Sequence, residues 1–274
     1  MKKAAVPQRP FSFCSTIDRE LRESEMTRHV LLNNIAHKDL RVITRPGHEF
    51  GDNVGTVLTF PTEYADIQRE YPIFFRKDPG TGEFQSVALL GFDKNENLFL
   101  RDDGRWEGSY VPGVLARGPF LIGFQEQEIG GELRKEPVIH IDIEDPRVGR
   151  SEGHPVFMPQ GGNSPFLDHI ATVLSGIRQG IDITKPMFAM LTEFDLIEPV
   201  KLEVKPTADE NYSVVGLHTI NQQKLASLDG AALERLNRAG FLQGAFLVMS
   251  SMNNVRRLIA LKQQRQRAQS GTAA

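Results

Sequence analysis

Cysteine is almost missing from this chain. With Cys14 alone, no internal disulfide can form and a cysteine-based zinc site is excluded. That scarcity fits a reducing compartment. An excess of charge of one sign is lacking as well. Thirty-two lysines and arginines balance 35 aspartates and glutamates to a net −3, so no global field invites nucleic acid or an anionic membrane. Long apolar runs are absent too. A membrane helix needs about 20 apolar residues in succession, and the best stretch, Phe241 to Met249, is interrupted by Gln243 and Gly244. At the N-terminus, Pro7, Gln8, Arg9 and Pro10 stand where a signal peptide has its apolar core, and Cys14 follows Phe13 rather than a small residue. These features lead to the expectation of a cytoplasmic protein without membrane insertion, with export by a dedicated secretion system left open.

What is present suffices for a core. Forty per cent of 274 residues are apolar, enough for one large domain or two small ones. Residues 1–25 read as a flexible arm, with Met26 an alternative start to Met1. Short apolar runs bounded by Gly, Pro, Asp and Asn then predict strands near 28–32, 40–43, 56–60, 73–76, 85–91, 97–100, 120–125 and 138–143. A short helix is expected over Glu63–Glu70 after Thr62, and one helical turn within Tyr110–Arg117. A polar loop, 144–162, separates this β-rich part (26–145) from a helix-rich part (163–264). There, Phe166, Ile170, Val173, Leu174 and Ile177 recur at helical spacing behind Pro165. Gly180–Thr184 and Pro186 predict an interruption before a second helix, Pro186–Phe194. A hairpin of 199–204 with 212–219 follows, then helices beginning at Asn221 and Asp229. The last helix is expected over Leu242–Gln264 with Phe246 in its buried stripe, followed by a disordered tail, 265–274. The fold class is therefore α+β, with a mixed or antiparallel sheet of short strands in the N-terminal half and a helix-rich C-terminal half.

Several constellations carry possible chemistry. His140, Asp142 and Glu144 alternate along a strand and would share one face. His-x-Asp is also half of a two-histidine, one-carboxylate iron site, for which His218 is a candidate third ligand. The same alternation describes an edge strand with one face in water. His154, between Gly153 and Pro155, is a loop candidate for a ligand, as is Ser164 in Gly161-Gly162-Asn163-Ser164-Pro165, where a helix start offers free N–H groups to an anion. That segment lacks the Gly-Lys-Ser/Thr ending of a phosphate loop. Ser164, Ser175 and Ser250 lie outside any Gly-x-Ser-x-Gly elbow. Trp106, flanked by Arg105 and Glu107, and the neighbouring Tyr110 are candidates for the rim of a pocket or interface. The run Arg256, Arg257, Lys262, Arg265, Arg267 has no acidic residue within it. It reads either as a solvated helix end, complementing the dipole, or as a contact for an acidic partner.

The pieces Tyr71-Pro72-Ile73, Val87-Ala88-Leu89-Leu90-Gly91, Asn97-Leu98-Phe99, Trp106, Tyr110-Val111-Pro112, Pro119-Phe120 and Ile141-Asp142 occur in an order that resembles the SapC family. So do Glu152-Gly153 before Phe157, Ser164-Pro165-Phe166-Leu167, Leu196 to Pro199, Gly216-Leu217, Leu225-Ala226-Ser227-Leu228 and Asn253-Asn254-Val255-Arg256-Arg257-Leu258. The resemblance spans roughly residues 28–259, within an expected domain of 26–264. It implies a bacterial protein associated by name with surface arrays, the S-layers, and brings no catalytic motif. The permease sense of the same label requires membrane helices that this chain lacks.

The resulting expectation is a non-catalytic protein that works by binding a protein partner, accessory to an S-layer or cell-surface function, with no cofactor and no nucleic acid. The alternative is a metal-dependent accessory of a metabolic enzyme system, holding iron or zinc at His140, Asp142 and His218, or a small-ligand carrier with its pocket beneath Trp106 and Tyr110.

Overall fold

Turn-bounded apolar runs form antiparallel strands throughout the computed structural model, which describes residues 28–129, 132–206 and 211–271. In chain order come β1 (His29–Leu31), β2 (Arg41–Val42), β3 (Thr56–Thr59), helix α1 (Tyr64–Ile67), β4 (Ile73–Lys77), β5 (Phe84–Leu89) and α2 (Gly113–Ala116). The long hairpin β6 (Phe120–Ile129) and β7 (Glu132–Asp142) follows, then the two-residue strands β8 (Val148–Gly149) and β9 (His154–Pro155). The remainder is α3 (Pro165–Glu193), β10 (Ile197–Val204), β11 (Tyr212–Ile220), α4 (Gln222–Ala226), α5 (Gly230–Arg238), α6 (Phe241–Ser251) and α7 (Val255–Gly271). The sheets have the orders β1-β7-β6, β10-β11-β4-β5-β3 and β8-β2-β9, and every pairing is antiparallel. The α+β expectation holds.

The chain divides into two compact units, each made of two stretches. One takes the described residues up to Ile43 and Pro119–Ala171; the other takes Thr44–Gly118 and the chain from Thr172. In the first, β1 and β6 flank β7, and the 144–163 loop returns twice to β2, placing β8 on one edge and β9 on the other. Phe120, Ile141, Val156, Leu167 and Ile170 form its core.

In the second unit, Ile73, Phe74 and Phe75 of β4 and Val87, Ala88 and Leu89 of β5 are all buried, so these central strands are covered on both faces. Phe188 of α3 meets Phe75 edge-on at 5.0 Å and stacks on Phe84 at 5.6 Å. At the end of α6, Ser251 Oγ accepts the Ile73 N–H at 2.9 Å. Asn221 and Asp229 cap α4 and α5 by accepting from Lys224 N and Ala232 N at 2.8 Å each, as the sequence predicts.

Several expectations are corrected. Residues 97–100 are not a strand, because the buried Asn97 side chain bonds Asp52 O and Phe99 N instead and leaves only a bridge between Leu100 and Trp106. The expected break near Gly180 is absent, since α3 runs through Pro186 as one helix of 29 residues. A Cβ at Gly180 would lie 2.4 Å from Phe60 Cβ, so this glycine serves close packing rather than interruption. The last helix is instead two, divided by a 3-10 turn at Met252–Asn254, and the second continues to Gly271 across the segment expected as a tail. Phe246, expected in the core, is 55% exposed, while Phe241, Ala245, Val248 and Ser251 form the buried face of α6. The β6–β7 hairpin also extends beyond the two strands expected there. The arm, residues 1–25, lies outside the described residues.

Candidate functional site

The residues around α1 build the most elaborate polar arrangement in the second unit. Two glutamates, Glu63 at the N-cap of α1 and Glu70 just beyond its end, are buried to 8% exposure each. Burying a carboxylate is costly unless donors surround it, and here the segment 106–113 supplies many of them. Glu63 Oε2 accepts from the Tyr110 hydroxyl at 2.8 Å and the Gly113 N–H at 2.9 Å, while Oε1 accepts from Thr59 Oγ1 at 2.8 Å. Glu70 Oε1 accepts from Ser109 Oγ at 2.6 Å, and the Ser109 N–H lies 2.9 Å from both carboxylate oxygens. Arg257 of α7 adds a charge 3.7 Å from Glu70 and donates to Glu107 O at 3.1 Å.

An aromatic stack adjoins these carboxylates. Trp106 lies 6.0 Å from Phe99 with nearly parallel rings, and Phe99 is 4.4 Å from Tyr71. The Trp106 indole N–H donates to Tyr71 Oη at 2.8 Å and to Tyr110 O at 3.1 Å, and the Tyr71 hydroxyl donates to the same carbonyl. Gly108 allows this closeness: a Cβ there would be 2.3 Å from Glu70 Oε2 and 2.7 Å from Tyr71 Oη.

The electrostatics follow from these contacts. Burial alone would raise the Glu70 pKa, but Ser109, through hydroxyl and N–H, and then Arg257 outweigh it and hold the carboxyl below its usual range. Burial raises the phenols of Tyr71 and Tyr110, the latter further through the charge on Glu63, so both remain protonated donors. The result is a loop locked by carboxyl acceptors beneath it, with Arg105 and Ser109 exposed and Trp106, Tyr110 and Val111 half-buried at its surface.

Trp106 and Tyr110 are thus brought together, as neighbours in one network. Phe99 and Tyr71 lie against Trp106, where the small-ligand alternative places its pocket. The other candidates lie elsewhere. Ser164 is buried and caps α3, its Oγ accepting the Leu167 N–H at 3.2 Å. His154 is exposed on β9 with its ring 5.7 Å from Phe166. His140 lies on β7, opposite Leu121 and Leu31. Asp142 is buried at the end of that strand, and its Oδ1 accepts the N–H groups of Arg28 and Glu144 at 3.1 and 3.2 Å. The strand ends there, so Glu144 does not continue its face as expected. His218 lies on β11 in the other unit, its ring edge 5.1 Å from Phe84. Among the described residues, no three His, Cys, Asp or Glu side chains group as metal ligands. Likewise, no helix among them is long and apolar enough to cross a membrane.

Glu63, Glu70 and Ser109 were not singled out from the sequence, and Arg257, read there as a solvated helix end or a contact for an acidic partner, instead faces Glu70 and Glu107 within the fold. The signal available was two acids seven residues apart, flanking the apolar Tyr64 and Ile67 of one short helix.

Fold and site together define an antiparallel α+β protein whose buried acids are employed in holding an aromatic loop. A family model described as SapC matches residues 32–258, and the chain belongs to the SapC family. Comparison with curated proteins and with solved structures finds no match.

Proposed function

We propose that this SapC-family protein works without catalysis, by binding a protein partner through the 105–110 loop, as an accessory to a bacterial surface array. One observation carries the binding reading: both buried glutamates are spent on fixing that loop, which leaves Arg105, Trp106 and Tyr110 at the surface. Arginine, tryptophan and tyrosine are the residue types enriched at binding hot spots. A loop ordered before the partner arrives loses less conformational freedom on association. The surface-array part rests on the family name, and the partner it suggests is the array subunit, met in the cytoplasm before its export.

The test is binding of the full chain to purified, unassembled surface-array protein from the same bacterium, by surface plasmon resonance. Arg105→Ala removes an exposed side chain whose bonds are to its neighbour Asp103, so the fold is preserved. Affinity is expected to fall at least tenfold, while Lys201→Ala, on the edge strand β10, leaves it unchanged. No binding by the wild type, or equal binding by both variants, overturns the proposal.

A further inference from the structure

Helix α7 is held largely by charge, unlike the helix before it. Between Val255 and Ala268, Leu258 is the single fully buried side chain, whereas α6 buries four in 11 residues. Three cations of α7 all reach one segment, residues 96–107. Arg257 donates to Glu107 O and lies over the Phe99 ring at 5.4 Å. Lys262 pairs with Glu96 at 2.6 Å, and Arg265 donates to Asn97 O at 3.2 Å and Leu100 O at 2.6 Å. No acid occurs in α7, so these cations have no partner one turn away on their own helix. The grip on residues 96–107 replaces that support.

What lies under this helix is apolar. Phe99 and Leu100 are fully buried, and Phe99 continues into the Trp106 stack. Ahead of the helix, the 3-10 turn at Met252–Asn254 is pinned separately, the Asn254 side chain donating to Gln68 O at 2.7 Å and Tyr71 O at 3.2 Å. A helix with one fully buried anchor, three cationic side chains gripping residues 96–107 and a pinned entry can open while the central strands β4 and β5 stay paired. At the sheet's far side it gives up the contact of Lys262 with the Tyr212 ring at 4.8 Å and the bond of Gln263 to Pro206 O at 2.6 Å. Local openings of this kind draw on elements with few buried apolar contacts.

We infer that α7 is a releasable strap, which swings away as a unit beyond Asn254 and uncovers Phe99 beside Trp106. Its closed state is set by Arg257, Lys262 and Arg265, and opening changes the aromatic surface next to the 105–110 loop. The inference stands on these contacts alone, whatever the loop binds.

Native-state hydrogen exchange of the full chain tests it. In the wild type, amides of 255–268 are expected to exchange ahead of those in β5, with a weaker dependence on denaturant. In Lys262→Gln/Arg265→Gln they should exchange at least tenfold faster, with β5 unchanged and Trp106 emission moved to the red. Unchanged α7 exchange in the variant, or acceleration of α7 and β5 together, overturns the strap. Should the variant not fold, the wild type decides alone: identical denaturant dependence for α7 and β5 means that they open only together, and the inference fails.

Discussion

The phenol of Tyr110 donates to Glu63 Oε2 across 2.8 Å, tying the aromatic loop to the N-cap of a helix 47 positions earlier. Hydrogen bonds to charged groups contribute about 1.5–3 kcal/mol each, so Tyr110→Phe should lower unfolding free energy by about that much. Glu63→Ala should cost more, because it leaves the Tyr110 hydroxyl, the Thr59 hydroxyl and the Gly113 N–H without their acceptor. Urea unfolding measures both. An Ala variant as stable as the Phe variant would show that water replaces the carboxylate.

Acid stability should depend on Glu70. Its folded pKa lies below the ordinary value, so the unfolded chain binds its proton first as pH falls. The contribution is therefore complete above about pH 4.3, the ordinary glutamate value, and is lost as pH drops through the folded pKa beneath it. Glu70→Gln should be less stable at neutral pH and show a shallower acid limb. Parallel acid limbs for wild type and variant would place the titrating group elsewhere.

Alkaline pH reports on the phenols. Burial raises Tyr64, Tyr71 and Tyr110 above the ordinary value near 10. Groups raised in the folded state stabilise it fully below the unfolded pKa, and that stability declines as pH rises beyond it. Tyrosinate absorbance from these three residues should appear with unfolding rather than before it. A smooth titration of all four tyrosines in the folded protein would contradict their burial.

On α6, Phe246→Ala should change stability by less than about 0.5 kcal/mol, as exposed substitutions usually do. Val248→Ala, at a fully buried site, should cost clearly more, in the range of about 1–3 kcal/mol for lost buried methyls. Thermal melts of the two variants decide it. The buried face follows Phe241, Ala245 and Val248 at spacings of four and three. Phe246, one residue past Ala245, is turned roughly 100° away.

That displacement shows where the sequence was legible. The β10–β11 hairpin and the caps at Asn221 and Asp229 could be read because local chemistry decides them: strand alternation and a side-chain acceptor at a helix start. Gly180 and Pro186 were misread because their explanation is tertiary. Gly180 faces Phe60 and Thr62 across the fold, and packing of α3 outweighs the bond lost at proline. Asn97 likewise abandons a strand for partners at Asp52 and Phe99. Of the site, Trp106 and Tyr110 were visible as aromatics in a turn. Glu63 and Glu70 were hidden, because nothing local distinguishes a buried glutamate from a solvated one.

The last prediction concerns Gly123 and His140 on the β6–β7 hairpin. A Cβ on Gly123 would stand 2.2 Å from His140 Cε1 and 2.3 Å from Nδ1, so Gly123→Ala must displace the imidazole. Overpacking of this kind costs about 1–3 kcal/mol. Burial, and then the charge of His29, hold the His140 pKa below the ordinary histidine value. A ring pushed outward should titrate higher, closer to about 6.5. The stability consequence has a definite sign. With a depressed folded pKa, the contribution of His140 is complete above about pH 6.5 and lost as pH falls through the folded value. Gly123→Ala should thus lower stability at pH 8 yet weaken its decline toward pH 5. Gly123→Ala/His140→Ala should recover much of the loss at pH 8, measured as a coupling energy in a double-mutant cycle. Additive single and double variants would mean that the ring evades the methyl group without strain.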